Sequence, residues 1–465
     1  MRSHAFNPTI MDIHPPSSDP EKPSRGTPTV STILPDGRIV EMVYDPVAQA
    51  TRFAVWKDGA WREELRLDLE SGQRLVPYTA TNNLVKHGIV LFPSRPEEYG
   101  TEADLIGEIR AFLHRYIDVS PLFEQIASYY VAFSWVYDGF NELPYLRVRG
   151  DAGSGKSRFL LTVGSLCYKP IFASGASTVS PIFRLIDTFR GTLVVDESDW
   201  RQSDERAEVV KILNNGNGKG FPVLRSEANG RGEFNPHAYA VFGPKLIATR
   251  GFFQDLALES RCLTEDMGQR PLREDIPINL PEVAAEEARA LRNKLLLFRF
   301  RTLHRCRPNE ALVDRSIEPR LNQIFVPLLS IVDDPAVRDQ LNELARRYQH
   351  DLTDERGMSS EAQVLDVINE LLLLSTGPRL SVKEITDQFI ERYGDEYERK
   401  VTNKWIGGVL RKRLGLKPQR VQGRFVIPLE DLPRLNRLRE KFGLATPGSS
   451  AATLADDGVT FGEVG

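Results

Sequence analysis

Eight residues constrain this chain more than any others: "GDAGSGKS", from Gly150 to Ser157. Glycine lets a backbone turn its N–H groups inward, and Gly150, Gly153 and Gly155 all fall in this stretch. The apolar run "PYLRVR" before the loop reads as a buried strand. The run "SRFLLTVGSL" after it reads as a helix whose positive N-terminal end meets the same point. Strand, glycine loop and helix in that order form a cradle for phosphate, and the pattern G-x-x-x-x-G-K-[ST] is satisfied at every fixed position. Gly150, Asp151, Ala152, Gly153, Ser154 and Gly155 would wrap the phosphates of a nucleotide. Lys156 would reach the β- and γ-phosphates, and Ser157 would ligate Mg²⁺.

One strand-helix unit further on, "TLVVDESD" ends an apolar run in Asp196 and Glu197. That sets two carboxylates at the carboxyl edge of a sheet, where ligands bind in α/β folds. Asp196 is placed to hold the metal through water, and Glu197 to polarise the attacking water as general base. Loop and acidic strand together predict hydrolysis of ATP, with ATP and Mg²⁺ as cofactors.

Around this core the period of the pattern changes several times. Residues 1–28, rich in Pro, Ser and charge and without an apolar signal segment, read as a disordered leader. Residues 29–95 alternate apolar and polar, as in "TRFAVWKDGAWREELRLDL", and Lys57-Asp58-Gly59 is a hairpin turn, so a small antiparallel β domain is expected. Residues 103–140 turn helical, with Leu105, Ile109, Phe112 and Tyr116 on one face and Ser120-Pro121 opening a second helix packed beside the next domain. Over 141–280 the strands "YLRVRG", "PIFAS", "GTLVVDE" and "PKLIATR" alternate with helices, which implies a parallel sheet covered on both faces. Residues 281–355 are helical, 360–442 form a further compact unit, and 443–465 read as a flexible tail.

Bulk composition narrows the partners. A net charge of -4 over 465 residues gives no global signature of nucleic-acid binding, so any such role must come from local patches. No apolar run approaches the roughly 20 residues needed to span a bilayer, so no membrane partner is expected. Cys167, Cys262 and Cys306 stand far apart without CxxC spacing, which argues against a disulfide framework or zinc site and fits a reducing cytoplasm.

The order of elements from Tyr145 to Met267 resembles an AAA+ module: phosphate loop, strand-helix unit, acidic strand, helix, then the strand "KLIATR". In that family the polar residue ending this last strand is the first sensor, usually Asn. Thr249 holds the position here, a departure that shortens the side chain's reach. The segment "DLALESRCL" is similar to the helix-end "ALxSR" element that supplies an arginine finger in AAA+ helicases. The resemblance therefore assigns Arg261 to the γ-phosphate of a neighbouring subunit, with a helix-terminal ion pair as the plainer alternative. The helical stretch after Pro281 resembles the AAA+ lid, which implies a second sensor. Arg320 is the candidate and Arg292 the runner-up.

A bare module needs only a helix and a short loop between the acidic strand and Lys245. This chain has "KGFPVLRSEANGRGEFNPHAYAVFG" there as well, which reads as two strands around a tip holding Asn229-Gly230-Arg231-Gly232. A hairpin at this point resembles the one carried by superfamily 3 and MCM-type helicases, where it projects into the channel of a ring and follows the ATP state. The resemblance assigns Arg231 to the phosphate backbone of DNA, supported by Lys219 and Arg225. An exposed loop without a partner is the alternative.

Beyond Glu361 the runs "AQVLDVINELLLLS", "SVKEITDQFIERYG" and "VTNKWIGGVLRKRLGL" read as three helices, followed by a strand pair around Gln422-Gly423. Three helices and a β wing follow the winged helix-turn-helix plan. A helix capped by Thr402 would enter a groove with Lys404 and Arg411, while Arg420 or Arg424 on the wing would touch phosphates. Protein binding is the alternative use of such a face.

The expected fold is thus α/β: an AAA+ P-loop sandwich with a helical lid, preceded by a small β domain and helices and followed by a winged helix-turn-helix domain. The resemblance to MCM-like or superfamily 3-like helicases of phages and mobile elements implies an ATP-driven translocase, a helicase of DNA replication, acting as a hexameric ring on single-stranded or forked DNA. Two other readings stay open. One is an ATP-switched initiator, loader or regulator that binds DNA without unwinding it, and the other is a defence-type ATPase that binds protein partners.

Overall fold

The computed structural model describes residues 26–173, 179–196, 203–226, 235–253, 255–269, 271–357, 359–374, 380–394, 397, 400–421, 423–427 and 432–444. The expected leader and tail lie largely outside these residues. The chain divides into two compact units, Met1–Leu312 with Val326–Asp333, and Val313–Phe325 with Asp334–Gly465.

The first unit opens with two small sheets. Strands β2 (Ser31–Ile33), β3 (Ile39–Asp45), β4 (Ala50–Lys57) and β5 (Ala60–Glu64) form an antiparallel meander. Its β4–β5 turn puts Asp58 (φ 49°) and Gly59 (φ 85°) in the left-handed region, the two-residue turn that Asp-Gly favours. Strand β1 (Thr27–Thr29) pairs in parallel with β7 (Arg74–Pro77), and β7 pairs in antiparallel fashion with β6 (Leu67–Asp68). The parallel pair is an addition to the purely antiparallel domain expected.

A short helix α1 (Asn83–Lys86) leads to α2 (Glu102–Tyr116), which starts in a capping box made by Thr101 and Asp104. Leu105, Ile109, Phe112 and Tyr116 are all buried. Helix α3 (Pro121–Ser134) begins as its Ser-Pro pair predicts, with Ser120 Oγ accepting from the Phe123 N–H at 3.3 Å.

The core is a five-stranded, wholly parallel sheet in the order β14-β8-β13-β10-β9. Its strands are β8 (Tyr145–Arg149), β9 (Ile171–Ala173), β10 (Leu193–Asp196), β13 (Lys245–Thr249) and β14 (Cys262–Asp266). Helices α4 (Lys156–Gly164) and α5 (Val179–Phe189) make the crossovers before β9 and β10. Helix α6 (Ser203–Asn215) and the short antiparallel pair β11 (Val223–Arg225) and β12 (His237–Tyr239) precede β13, and α7 (Leu256–Glu259) precedes β14.

Strand β14 is absent from the reading of the sequence because "CLTED" offers only two apolar residues. The sheet explains its polar half. In register, Arg147 of β8 donates from Nε to Thr264 Oγ1 at 3.0 Å, and Arg149 grips the Asp266 carboxylate at 2.6 and 2.7 Å. Cross-strand polar pairs hold this edge where apolar packing would hold a central strand.

Helix α8 (Val283–Thr302) belongs to the same unit, whereas residues 313–325 and 334–355 belong to the second. The span expected as one lid is therefore divided. Arg299 of α8 is buried and ties its helix to two distant segments. It donates to Glu41 of β3 at 2.7 Å, to the Asp138 carboxylate at 2.8 and 2.7 Å and to the Trp135 carbonyl at 2.6 Å. Tyr168 Oη also donates to Glu41, at 2.6 Å.

The second unit contains α9 (Pro319–Leu329) in part, α10 (Pro335–Gly357), α11 (Ser360–Leu374), α12 (Val382–Tyr393), α13 (Asn403–Gly408) and α14 (Leu432–Lys441). Its three-stranded sheet has the order β15-β17-β16, from β15 (Leu380–Ser381), β16 (Gln419–Val421) and β17 (Arg424–Ile427). Thr402 caps α13, accepting from the Trp405 N–H at 3.3 Å, and the turn that follows opens to i→i+5 spacing, with Leu414 N donating to Val409 O at 3.0 Å.

One buried cation is held by backbone carbonyls. Lys245, at the start of β13, is 0% exposed, and its Nζ donates to the carbonyls of Gly243 (2.7 Å), Val241 (3.0 Å) and Gly216 (3.4 Å). Burial pushes it down to about 7. Because the folded state holds this proton less tightly than the unfolded chain, the lysine's share of stability is lost as pH falls through about 7. Urea unfolding should therefore show the wild type gaining stability between pH 6.5 and 9.5, with a visibly smaller gain for Lys245→Met. Equal gains would mean that Lys245 is not desolvated.

Candidate nucleotide site

The site is built where β8 ends. After Arg149 the chain turns through Gly150, where a Cβ would lie 2.7 Å from the Met267 carbonyl and 2.8 Å from Ser154 Oγ, so the loop closes only on glycine. Gly155, at φ 93°, caps α4 in the left-handed region that other residues avoid. Lys156 is 6% exposed and curls back over the loop, its Nζ donating to the carbonyls of Gly150 and Asp151 at 2.7 Å each. Asp151, Ala152 and Gly153 form the exposed tip, and Ser157 is exposed on the first turn of α4.

Register brings the other groups to the same edge. Thr249 pairs with Arg149, and Asp196 with Ala248, so Asp196, Thr249 and Gly150 follow one another across β10, β13 and β8. Adjacent strands are ~4.8 Å apart, which puts Asp196 roughly 10 Å from the phosphate-loop strand with Thr249 between them. Thr249 is 1% exposed, and its Oγ1, like that of Ser154, is buried without a hydrogen-bond partner among the described residues. Glu197 lies outside the described residues.

These residues fit a nucleotide with a divalent cation. The N-terminus of α4 and the glycine loop supply N–H donors, Lys156 a cation, and Ser154 and Thr249 hydroxyls whose bonds are not spent. No cluster of three or more His, Cys, Asp or Glu able to hold a metal occurs among the described residues. Ser157 and Asp196 would thus hold Mg²⁺ together with phosphate oxygens and water, as this ion prefers.

Arg261 is elsewhere. Its carbonyl accepts from Tyr145 N at 2.9 Å, which places it at the amino edge of the sheet, one strand length or roughly 17 Å from the loop. Its guanidinium donates to Asn214 Oδ1 at 2.5 Å, and Asn214 in turn donates to Asp255 at 2.6 Å. Arg261 cannot serve the phosphate loop of its own chain.

The two second-sensor candidates diverge. Arg292 is buried, donates to the Ser165 carbonyl at 2.6 Å, and is pushed down to about 10 by burial. Ser165 caps the far end of α4, so Arg292 neutralises a helix C-terminus and does not point at the phosphate loop. Arg320 is half-buried in the second unit.

Of the hairpin cations, Arg231 lies outside the described residues. Arg225 pairs with the Glu208 carboxylate of α6 and sits 5.0 Å from the Phe183 ring centroid, so its charge is already met within the protein. Lys219 is exposed, though its Nζ donates to the Asp138 carbonyl at 2.9 Å. In the second unit Lys404, Arg411, Arg420 and Arg424 are all exposed. Trp405 packs its ring 5.7 Å from that of Phe389, which fixes how α13 is rotated. Sequence reasoning also passed over the stack of Arg149 on the exposed Phe252, 3.6 Å from guanidinium to ring centroid, because no motif marks it.

No family model and no curated protein matches the chain. Among solved structures it is similar to the C-terminal region of NrS-1 (TM-score 0.36, 12% identity, covering 84% of this chain and 96% of that one). It is also similar to JCV helicase (TM-score 0.25, 15% identity, 53% and 60%) and to the Aeropyrum pernix ORC1 protein in complex with DNA (TM-score 0.21, 14% identity, 71% and 96%). At scores this low the function rests on the site itself.

Thr249 and Lys156 separate binding from turnover. Lys156→Ala should abolish binding of a fluorescent ATP analogue. Thr249→Val should bind it normally and release phosphate about 100-fold more slowly, the typical effect of losing one transition-state donor. Wild-type turnover in Thr249→Val would remove Thr249 from the site.

Proposed function

We propose that this chain is an ATP-hydrolysing, AAA+-type DNA translocase of the MCM-like or superfamily 3-like kind, working as a hexameric ring on single-stranded or forked DNA. The observation that carries the reading is β13. In five residues it runs from Lys245, at the root of the β11–β12 hairpin, to Thr249 beside the phosphate loop. A shift of Thr249 on hydrolysis is passed along a hydrogen-bonded strand to the hairpin, between whose two strands Arg231 lies in the sequence. Glu197 would act as general base. Arg261, out of reach of its own loop, would complete a neighbour's site, and Arg320 would be the second sensor. The second unit, a winged helix on this reading, would hold DNA through Lys404, Arg411, Arg420 and Arg424. These exposed cations favour one other reading, an ATP-switched initiator or regulator that binds DNA without moving along it.

Two measurements test this. Single-stranded or forked DNA should stimulate the wild-type ATPase, while Arg231→Ala hydrolyses ATP but ignores DNA. DNA without effect on either protein would sink the translocase, and stimulation without strand displacement would favour the switch. Lys156→Ala and Arg261→Ala should each be inactive alone and recover partial activity when mixed, since some interfaces then join an intact loop to an intact arginine. No recovery would mean that Arg261 does not act in trans.

A further inference from the structure

At the amino edge of the parallel sheet, opposite the phosphate loop, a cavity of about 630 Å³ opens between β2, the turn Tyr137–Gly139 and both chain segments at the root of the hairpin, residues 218–222 and 240–242. Its position follows from the backbone: Lys219 N donates to Asn141 O at 2.9 Å and Gly243 N to Gly216 O at 3.2 Å, just before β8 and β13 begin. The volume falls in the range of ~300–1,000 Å³ usual for small-molecule sites.

The charges lining it are unbalanced. Asp138, Arg190, Lys219 and Arg299 are its ionisable acid and bases, and Arg299 closes on the Asp138 carboxylate through two bonds, at 2.8 and 2.7 Å. That leaves Arg190 and Lys219 in excess. Arg190 has no carboxylate partner among the described residues, and Lys219 spends one of its three N–H donors on a carbonyl. Flat apolar surface adjoins these cations. Phe221 is 69% exposed, and the Phe242 ring lies 5.6 Å from that of Tyr137 and 5.5 Å from Lys219 Nζ.

The backbone of Arg190 points the same way. It takes φ 47°, the left-handed value that ends a helix most cheaply as glycine, yet an arginine stands there and glycine follows only at Gly191. Tyr137 Oη donates to the Arg190 carbonyl at 2.8 Å and so holds this turn against the cavity wall.

We infer that this cavity takes one nucleotide unit of a single strand, its base against Phe221 and Phe242 and its phosphate on Arg190 and Lys219. The inference rests on the reading that the protein acts on DNA. It adds a gripping point at the root of the hairpin, where a bound strand touches both of the hairpin's arms. Excess positive charge disfavours metals and cationic ligands, and the exposed ring disfavours a purely inorganic anion. Aromatic stacking with a nearby cation is the chemistry by which proteins hold single strands without reading sequence.

The test is fluorescence anisotropy of a labelled oligothymidylate with the full chain, across a salt series. Phe221→Ala should weaken binding about tenfold, as the loss of one stacked base does, and Phe221→Tyr should restore it. Arg190→Gln and Lys219→Gln should each lower the salt slope by about one. Arg190→Gly should weaken binding while leaving the thermal unfolding midpoint equal or higher, because glycine takes this φ without strain. If the wild type binds the oligonucleotide and these variants match it in affinity and slope, the cavity is not a strand site, although the DNA reading survives. If the wild type binds no oligonucleotide, that reading fails first. Displacement by free thymidine monophosphate as effectively as by the strand would overturn the strand assignment and make this a site for a free nucleotide.

Discussion

Strand β13 is hydrogen-bonded on both sides, to β8 at Leu246 through Thr249 and to β10 at Lys245 through Ala248, and the chemistry at the carboxyl edge depends on that pairing. A parallel strand cannot slip by one residue without turning its side chains to the other face, so the depth of Thr249 relative to Gly150 and Asp196 is set by the register. The amino end of the strand is held differently. Lys245 gathers three carbonyls from the end of α6 and the exit of the hairpin, and Tyr130 Oη sits at 3.0 Å from both its N and its O. A buried cation is costly, and here its bonds join separate pieces of backbone that an apolar side chain could not join.

The N-terminal sheets belong to the same compact unit as the parallel sheet, and a buried polar cluster is part of the reason. Glu41 of β3 meets Arg299 of α8, Tyr168 from the turn after α4 and, at 3.8 Å, Lys169. Replacing such a cluster with apolar residues can stabilise a protein, but removing one member leaves a buried charge unmet, at a cost of about 3–5 kcal/mol. The ring of Trp56 stacks on Phe300 at 5.6 Å beside it, adding apolar area that does not depend on charge. The sheets therefore present β2 to the root of the hairpin as a fixed wall.

What could be read from the sequence was the part encoded locally. The phosphate loop, the acidic strand, the caps at Ser120 and Thr402 and the Asp58-Gly59 turn each depend on residues a few positions apart, so spacing alone carries them. What escaped depends on contacts across the fold. "YLRVR" gives no sign that its arginines will find Thr264 and Asp266 on a strand more than a hundred residues later, and without that pairing "CLTED" does not look like a strand. Arg225 and Arg292 look like available cations in sequence. In the fold, Glu208 and the Ser165 carbonyl have already claimed them. Charge counted along a chain overstates the charge available at a surface, and only packing shows which cations remain.

The polar groups of the first unit are unevenly placed between the two edges of its sheet. In the first unit the sheet separates two chemistries. Lys156, Thr249 and Asp196 lie at the carboxyl edge, while Arg261, Lys219 and Arg190 lie at or near the amino edge. Parallel strands impose this division, because every loop that follows a strand emerges at one edge and every loop that precedes one emerges at the other. A nucleotide at one edge can affect a ligand at the other only through the strands between them or through a second subunit. Strand β13 spans the two edges, and Arg261 is held at the amino edge by Asn214. On the reading proposed above, this separation would let each phosphate loop report its state to its own hairpin and to the neighbour whose arginine it would hold.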